Sequence, residues 1–397
     1  GDQVATIEAM KMEAAITAPV GGTVQVLESS SGGRVVLSGK YQGRVMTSAV
    51  SANGQSLGWI NRRFVAEGKT GTQFDNYGGE DRFWLGPEGG QFGLYFPPGE
   101  PFTFAKWQTP AAFQEGEWAI SDMSSKRVTF TALFRVTNWS RAIFDVEVKR
   151  TVSLLGKEEV EAALGAPIPP GVEWVAFESK NVITNRGKTP WTKDKGLLSV
   201  WILGMYTPSP DTRVAAPFAA GPGAPLNDAY FGKVPAERLR VDDAAGVAYF
   251  TCDGQHRSKI GLPPARAKRT IGSYARSSKL LTVVHYDKPD ATDYVNSMWE
   301  TQKEPYAGDV VNSYNDGPTE PGKPPLGGHV LSHDQVEATL LRRAGYEVRV
   351  LPFEGGSWEE NPPTMLDFAK RDVRWCQGNM QYVKLLDTPG LYAMSRF

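Results

Sequence analysis

The sequence predicts a mainly β protein, a sandwich or barrel-like body followed by a small α/β appendage at the C-terminal end. Three observations support this fold class. Short runs rich in β-branched and aromatic residues recur between about residues 24 and 286, and Gly, Pro, Asn and Asp separate them. The 397 residues include 42 Gly and 28 Pro, a composition typical of a turn-rich globular chain. After Tyr286 the spacing of apolar residues becomes helical.

The individual elements follow from these runs. The predicted strands cover residues 24–28, 34–37, 44–49, 127–137, 144–154, 174–184, 197–205, 246–252 and 279–285. One helix is predicted within this body, over residues 157–164, because Gly165 and a proline-rich stretch stop it. Many short strands without interleaved long helices favour an all-β architecture.

Helical and irregular segments are predicted beyond Tyr286. The apolar face formed by Tyr294, Val295, Met298 and Trp299 predicts a helix over residues 291–302. Residues 312–325 are rich in Pro, Gly and Asn and are predicted to be irregular. Ser332 is a predicted N-cap of a helix over 332–344. A strand over 347–352 and further helix within 363–386 complete the appendage.

This change of pattern predicts a domain boundary near residues 321–328. The resulting division is 1–25, 26–326 and 327–397. The two ends are predicted to be partial modules attached to one large β-body.

Composition excludes several classes of function. Lys and Arg number 43 against 44 Asp and Glu, so a generally basic nucleic-acid binder is excluded. Two Cys and four His leave no disulfide framework and little for a metal centre, and no metal is expected. No apolar run reaches the roughly 18 residues of a membrane span, and no signal peptide is recognised. We therefore expect a soluble chain.

The first residues carry a recognisable motif, Glu8-Ala-Met-Lys11-Met-Glu13 followed by Ala18-Pro-Val-Gly-Gly22. It resembles the biotinyl-lysine hairpin of biotin carboxyl carrier domains, in which a tight turn presents one lysine to a ligase. The resemblance implies biotin on Lys11 as the one candidate cofactor. Because only the middle of such a domain is present, the alternative interpretation of Lys11 is a solvated surface lysine.

Residues 74–92 interleave aromatic rings with charged and amide side chains on a glycine-rich backbone. Sugar binding uses this combination, since flat rings contact C–H faces and polar groups bind hydroxyls. The alternative interpretation is ordinary turn packing in a β-sandwich. A sugar or oligosaccharide is the expected partner.

The same stretch resembles the Gly-Gly-x-Arg-x-Trp-x-x-Pro-Glu-Gly-Gly segment of proteins related to the galactose mutarotase (aldose 1-epimerase) superfamily. Residues 41–48, 181–191, 253–261 and 308–317 are similar to further segments of that superfamily, in an uncharacterised branch. The resemblance implies an antiparallel β-supersandwich that binds sugars across a concave sheet.

In that superfamily a Glu acts as base and a His as acid. Here the strand after Trp191 carries Trp201 and no histidine, and the resemblance ends before the strand that would bring the Glu. His256 is a candidate substitute, because it lies among polar residues that could orient an imidazole. His285 is interpreted as structural.

Candidate site residues follow from these segments. The candidate catalytic residues are Glu80, Asp81, Glu88 and His256. The candidate substrate-binding residues are Asn76, Arg82, Trp84, Gln91, Trp107, Trp201, Asp253, Gln255, Arg257, Lys259, Asn312, Tyr314 and Asn315. We expect Glu80, Arg82, Glu88 and Arg257 to meet on one concave face.

The last seventy or so residues resemble the end of the catalytic domain of family 2 glucosyltransferases that make osmoregulated periplasmic glucans. Asp334 matches the family's general base, and Arg371, Arg374 and Trp375 match its Gln/Arg-x-x-Arg-Trp motif. An arginine pair and an indole suit a pyrophosphate and a sugar. The nucleotide-binding strands and metal-holding aspartates are missing, so the alternative is a packed helical remnant.

The function predicted first is carbohydrate binding, with epimerase-like activity implied by the mutarotase resemblance. A non-catalytic β-scaffold or chimera without enzymatic activity is the alternative from a different class. A glycan hydrolase or lyase would use the same concave face with two carboxylates. A remnant of a UDP-glucose-dependent glucosyltransferase is the remaining possibility.

Overall fold

A computed structural model describes residues 24–335, except 53, 69–72, 291–292 and 319–326, together with two short strands before them. These strands, β1 (Thr6–Ile7) and β2 (Ala14–Ala15), pair with each other. The chain divides into the units Gly1–Ala338 and Thr339–Phe397, and every described residue lies in the first.

Antiparallel sheets make up nearly all of the described structure. A three-stranded sheet contains β3 (Val24–Glu28), β4 (Arg34–Ser38) and β5 (Arg44–Ala49). A four-stranded sheet has the order β10-β9-β8-β7, from β7 (Ala119–Met123), β8 (Arg127–Thr137), β9 (Ile143–Leu154) and β10 (Phe177–Asn185). The predicted mainly β class with antiparallel sheets is confirmed.

Two further sheets have five strands each. One has the order β13-β14-β12-β16-β17, from β12 (Thr212–Pro217), β13 (Leu239–Asp242), β14 (Val247–Thr251), β16 (Thr270–Ala275) and β17 (Leu280–His285). The other, called the site sheet below, has the order β15-β18-β19-β11-β6. Its strands are β6 (Arg82–Gly86), β11 (Ser199–Tyr206), β15 (Ser258–Leu262), β18 (Val311–Asn315) and β19 (His329–Gln335).

Local sequence explains the helices and the strand faces. Helix α1 (Arg62–Glu67) begins where the Asn61 side chain accepts a hydrogen bond from the Phe64 amide at 3.1 Å. Helix α2 (Lys157–Leu164) matches its predicted bounds and ends at Gly165, whose φ is +64°. Along β9 every second residue from Phe144 to Leu154 is buried, which is the pattern of a sheet with one face on the core.

One hydrophobic core joins the site sheet to its neighbours. Both faces of β6 and β11 contribute to this core. Every residue of these two strands is therefore buried, instead of every second residue as in a strand with one exposed face. No helix within the described ranges is long and apolar enough to cross a membrane.

Three predicted elements are wrong in the described residues. The helix over 291–302 is absent, and residues 293–302 form an irregular segment with a bridge from Tyr294 to Ala307. Residues 312–325 are not wholly irregular, because Val311–Asn315 is strand β18. Ser332 does not cap a helix, since it lies inside β19, between β11 and β18. In each case pairing with distant strands outweighs the local pattern.

Candidate functional site

One row of residues crosses the whole site sheet. Arg82 is opposite Leu203, Leu203 is opposite Ser332, Ser332 is opposite Asn312, and Asn312 is opposite Gly261. Directly opposed residues in antiparallel strands share a face, so this polar row lies on one side of the sheet. The row brings the predicted residues Arg82 and Asn312 onto the same surface.

Two indole rings lie beside the polar row on that surface. Trp84 and Trp201 are two residues from Arg82 and Leu203 along their strands, and their backbones are paired. The Arg82 guanidinium lies 4.1 Å from the centroid of the Trp84 ring, within the range of a cation–π contact. Arg82, Trp84 and Trp201 are each only 4% exposed, and both indoles belong to the hydrophobic core.

Polar atoms on this face are buried without hydrogen-bond partners among the described residues. They are Arg82 Nε and Nη1, Trp84 Nε1, Trp201 Nε1, Asn312 Oδ1 and Ser332 Oγ. Folded proteins pair the great majority of such groups, and each exception costs about 1–3 kcal/mol. A concentration of exceptions on one face is typical of a surface whose polar groups are completed by a ligand or by water.

A small cleft, partly open to solvent, lies at the β15–β18 side of this surface. Its lining residues are Trp201, Tyr230, Lys259, Val295, Ser297, Asp309, Asn312 and Tyr314. Lys259 is 4% exposed, and its ammonium lies 3.8 Å from the Tyr230 ring centroid and 4.6 Å from that of Tyr314. Aromatic side chains therefore surround a nearly buried cation at the cleft.

Carboxyl groups with raised pKa values accompany these cations. Burial raises the pKa of Asp316 to about 6, although the charges of Arg82 and Arg257 oppose the rise. Burial also raises the pKa of Glu88, against the charge of Lys259 and a hydrogen bond from Trp107. Desolvated titratable groups in a cleft are a recognised property of sites that transfer protons.

Glu88 is held firmly at the edge of this arrangement. The Trp107 indole donates to its Oε1 at 2.9 Å, and its own amide donates to Ser297 Oγ, a cleft residue, at 3.1 Å. The following Gly89 packs so closely that a Cβ would lie 2.6 Å from the Met298 carbonyl oxygen. The Pro-Glu-Gly-Gly turn thus places Glu88 against the 293–302 segment.

The other two predicted catalytic carboxylates, Glu80 and Asp81, lie elsewhere and bind groups of the protein itself. Glu80 accepts hydrogen bonds from the Ser48 amide at 2.6 Å, the Ser48 hydroxyl at 2.7 Å and Thr47 at 3.2 Å. Asp81 forms a buried ion pair with Arg150 and accepts from Ser179 at 2.8 Å. The expected meeting of Glu80 with Arg82 is therefore not found, because Glu80 binds β5 instead.

The 253–257 loop contributes less to the cleft than predicted. Asp253 accepts hydrogen bonds from both Arg238 and Asn315. The predicted binding residues Asp253 and Asn315 therefore stabilise the loop itself. Burial alone would raise the pKa of Asp253, but hydrogen bonds led by that from Arg238 lower it. Gln255 is exposed. Arg257 stacks on Phe231 at 4.2 Å and contributes its charge near Asp316 and Glu88.

Two further predicted residues, Gln91 and Trp107, are used by neighbouring loops. The Gln91 amide exchanges two hydrogen bonds with the Gln302 backbone, at 2.8 and 2.9 Å. Trp107 stacks with Tyr95 at 5.8 Å and donates to Glu88. Asn76 is half-buried in the loop before β6.

His256 is half-buried, and Gly317 packs against its backbone, where a Cβ would lie 2.5 Å from the His256 nitrogen. Its Nδ1 is buried and has no partner in the described structure. Its place near the cleft is not supported by any contact with a cleft residue within the described ranges.

Several predictions fall on residues outside the described structure. Lys11, Arg371, Arg374 and Trp375 lie there, as does the α/β appendage beyond residue 335. The backbone of Asp334 is described and pairs with Trp201.

Sequence reasoning did not predict Tyr230, Ser297, Asp309, Asp316 or Ser332 as site residues. Asp309 and Asp316 lie on either side of β18, the strand that carries the predicted residues Asn312 and Tyr314. Their closeness in sequence to these polar residues was the feature from which they could have been predicted. Among the described residues, no cluster of three or more His, Cys, Asp and Glu is placed to hold a metal ion.

Comparison with curated proteins identifies a short similar segment. Glucans biosynthesis glucosyltransferase H of Rhodopseudomonas palustris is 60% identical over 79 residues, which are 20% of this chain and 11% of that protein. The protein of the same name from Bradyrhizobium diazoefficiens is 57% identical over 75 residues, 19% of this chain and 10% of that protein. The chain thus spans about a tenth of these relatives, and the resemblance to glucan glucosyltransferases is confirmed over that segment.

Solved structures similar to the fold have names from the galactose mutarotase superfamily. A galactose mutarotase-like protein from Lactobacillus casei has a TM-score of 0.44 and 11% identity, covering 78% of this chain and 87% of that one. A galactose mutarotase related enzyme from Lactobacillus acidophilus has a TM-score of 0.36 and 9% identity, covering 79% and 98%.

A family model covers much more of the chain than the curated relatives do. It matches residues 15–330, from before β3 into β19, and so crosses both boundaries predicted from the sequence. It includes every residue of the polar row except Ser332, together with both tryptophans and all the cleft residues. The chain belongs to the family of unknown function DUF6786.

Proposed function

We propose that this protein binds a carbohydrate on the face of the site sheet that carries the polar row and the tryptophan pair. The observation that carries the proposal is the set of buried polar atoms without described partners at Arg82, Trp84, Trp201, Asn312 and Ser332. A sugar offers several hydroxyl groups close together, each of which both donates and accepts. It therefore suits a surface that mixes N–H donors with amide and hydroxyl groups.

The aromatic content of the same surface supports a sugar over a simple polar ion. Trp201, Tyr230 and Tyr314 line the cleft, and flat rings contact the C–H faces of a pyranose. The row crosses five strands, and neighbouring strands lie about 4.8 Å apart, so its length exceeds one sugar ring. An oligosaccharide is accordingly the ligand class that would contact the whole row.

We further propose epimerase-like chemistry as the activity of this surface. Ring opening of a reducing sugar needs one group to take a proton and another to supply one. Glu88 and Asp316 have raised pKa values and lie near cations of the same face, which is the kind of environment such a reaction uses. The missing family histidine means that different groups would perform the proton transfers here.

Isothermal titration calorimetry of the full chain with neutral and acidic mono- and oligosaccharides tests the binding proposal. Arg82→Ala and Trp84→Ala are expected to abolish the binding heat. Arg127→Ala is the matched control, because Arg127 pairs with Asp122 on an exposed strand away from the site sheet. Absence of heat with every sugar would refute the proposal.

Two other functions are suggested by the ends of the chain. The segment shared with glucosyltransferase H supports a proposal of UDP-glucose binding, with Asp334, Arg371, Arg374 and Trp375 as the contacts. A rise in melting temperature with UDP-glucose and magnesium is the expected sign, and no shift would refute it.

The Lys11 motif supports a separate proposal of biotinylation. After co-expression with a biotin ligase, the intact mass is expected to rise by one biotinyl group. An unchanged mass would refute the proposal, and Lys11→Arg is the control.

A further inference from the structure

We propose that strand β17 is the interface through which two copies of this chain pair edge to edge and join two five-stranded sheets into one. β17 (Leu280–His285) is an outer strand of its sheet and pairs with β16 on one side only. The inference is independent of the proposed carbohydrate binding, because β17 does not belong to the site sheet.

The sequence of β17 lacks the features that normally keep an exposed strand edge from pairing. Such edges are usually protected by charged residues, by proline or by a bulge. β17 reads Leu-Leu-Thr-Val-Val-His, and its register with β16 is unbroken. Every other outer strand of the described three-, four- and five-stranded sheets contains at least one Asp, Glu, Lys or Arg. The edge of β17 is therefore suited to accept a further strand.

Main-chain groups on one side of β17 point away from its sheet. The Tyr286 amide donates to the Arg269 carbonyl at 3.0 Å, and hydrogen-bonded pairs alternate along antiparallel strands. The amides and carbonyls of Leu281, Val283 and His285 accordingly face outward. No bridge within the described ranges covers that side of β17.

Apolar side chains are exposed along the same edge. Leu281 is 64% exposed and Val283 is 40% exposed. Tyr274, directly opposite Leu281 on β16, is 45% exposed on the same face. A strand added to β17 would cover these side chains and bind the outward main-chain groups together, which are the two contributions that stabilise strand addition.

The occupant is a second copy because the edge is complementary to itself. An antiparallel pair about a two-fold axis can match outward main-chain groups only with outward ones. The register centred on Val283 does this, with Val283 opposite its own copy and Leu281 opposite His285. The same register brings Lys279 of each copy beside Asp287 of the other. Both residues are exposed, and neither forms an ion pair with another described residue.

Light scattering coupled to size-exclusion chromatography of the full chain, over a wide range of concentrations, tests the interface. The wild type is expected to reach twice the chain mass as the concentration rises. Val283→Lys places two ammonium groups at the axis and is expected to weaken dimerisation at least about 100-fold. Leu133→Lys is the matched control, because Leu133 is 72% exposed on β8, an inner strand of the four-stranded sheet, and it should dimerise normally.

Charge reversal tests the register. Lys279→Glu and Asp287→Lys are each expected to weaken dimerisation about tenfold, since each turns two attractions into repulsions. The two changes combined in one chain should restore the dissociation constant to within about threefold of the wild type.

Cross-linking tests the position of the axis. In a Cys376→Ser background, Val283→Cys is expected to give a disulfide-linked dimer under mild oxidation, since opposed hydrogen-bonded residues have Cα atoms about 5.5 Å apart. Leu281→Cys is the control and should stay unlinked, because its two copies lie four residues apart in this register. The remaining Cys252 is buried.

A wild type that stays monomeric would overturn the proposal, whether the edge is then open or is covered by residues 339–397 or by another protein. A dimer that Val283→Lys leaves intact would overturn it too, because a different surface would then hold the copies together. Linkage through Leu281→Cys in place of Val283→Cys would contradict the register.

Discussion

Trp84 and Trp201 face each other across two paired strands, with ring centroids 5.6 Å apart and planes inclined at 65°. Neither indole N–H has a hydrogen-bond partner in the described part of the chain. An edge-to-face pair is a stable core arrangement, but it does not explain two desolvated donors. The pair contributes packing to the fold and, under the binding proposal, two N–H donors to the bound ligand.

This pairing predicts what happens when the indole N–H donors are removed and an aromatic ring is kept at each position. Trp84→Phe and Trp201→Phe are each expected to weaken sugar binding about five- to tenfold, the value of one hydrogen bond. Trp118→Phe is the matched control, because Trp118 is equally buried but packs against Phe83 in the core. Calorimetry should show unchanged affinity for the control, and equal losses in all three would contradict the assignment.

Gly261→Ala is expected to disturb the cleft without unfolding the chain. Because the new methyl group would meet Asp309 and Asn312 side-chain atoms rather than backbone, those side chains must rotate away. Sugar affinity should fall at least about tenfold, since two polar contacts are lost together. Gly156→Ala, whose nearest contact would be 3.4 Å, is the control and should bind normally.

The Arg150–Asp81 pair is predicted to matter for stability and not for binding. Arg150 is fully buried and also donates to the Gly43 carbonyl at 2.9 Å and to Asn181 at 2.6 Å. Arg150→Ala leaves Asp81 buried without its partner and is expected to cost about 3–5 kcal/mol in urea unfolding. The exposed Arg135–Asp145 pair offers the comparison, with Arg135→Ala expected to cost less than about 1 kcal/mol.

His329 is predicted to make stability depend on acid pH. Burial lowers its pKa to about 4 from an ordinary 6.5, while its Nε2 lies 2.9 Å from Ser273 Oγ. The unfolded chain therefore binds the proton first, and the contribution of His329 to stability rises with pH between these two values. Replacement by Gln should flatten this part of the curve of unfolding free energy against pH. A variant with an unchanged slope would show that other groups cause it.

Strands with one buried face were predictable because their alternation is local. The bounds of β8, β5 and α2 agree with those predicted from residue type alone. Strands β6, β18 and β19 were not predicted, since a polar composition or a burial on both faces removes the alternating signal. The helix predicted over 291–302 failed because the Tyr294 amide bonds to the Tyr306 carbonyl, a contact that periodicity cannot reveal.

The same limit applies to the site. The mixture of rings and charges in residues 74–92 indicated Arg82, Trp84 and Glu88, because these lie close in sequence. Residue type alone did not separate them from Glu80 and Asp81, whose carboxylates bind Ser48 and Arg150. Asp309, Tyr230 and Ser332 come to the cleft or the row only through strand register and loop packing, which a single sequence does not encode locally.

Strand β19 lies between β11 and β18, although it is the last described element of the chain. A ribosome must therefore complete residues up to about 335 before the site sheet can close. Until then β11 and β18 each present an open edge with unpaired amides, which is the form in which nascent sheets associate wrongly. Shortened chains ending before His329 should accordingly aggregate rather than yield a smaller folded protein.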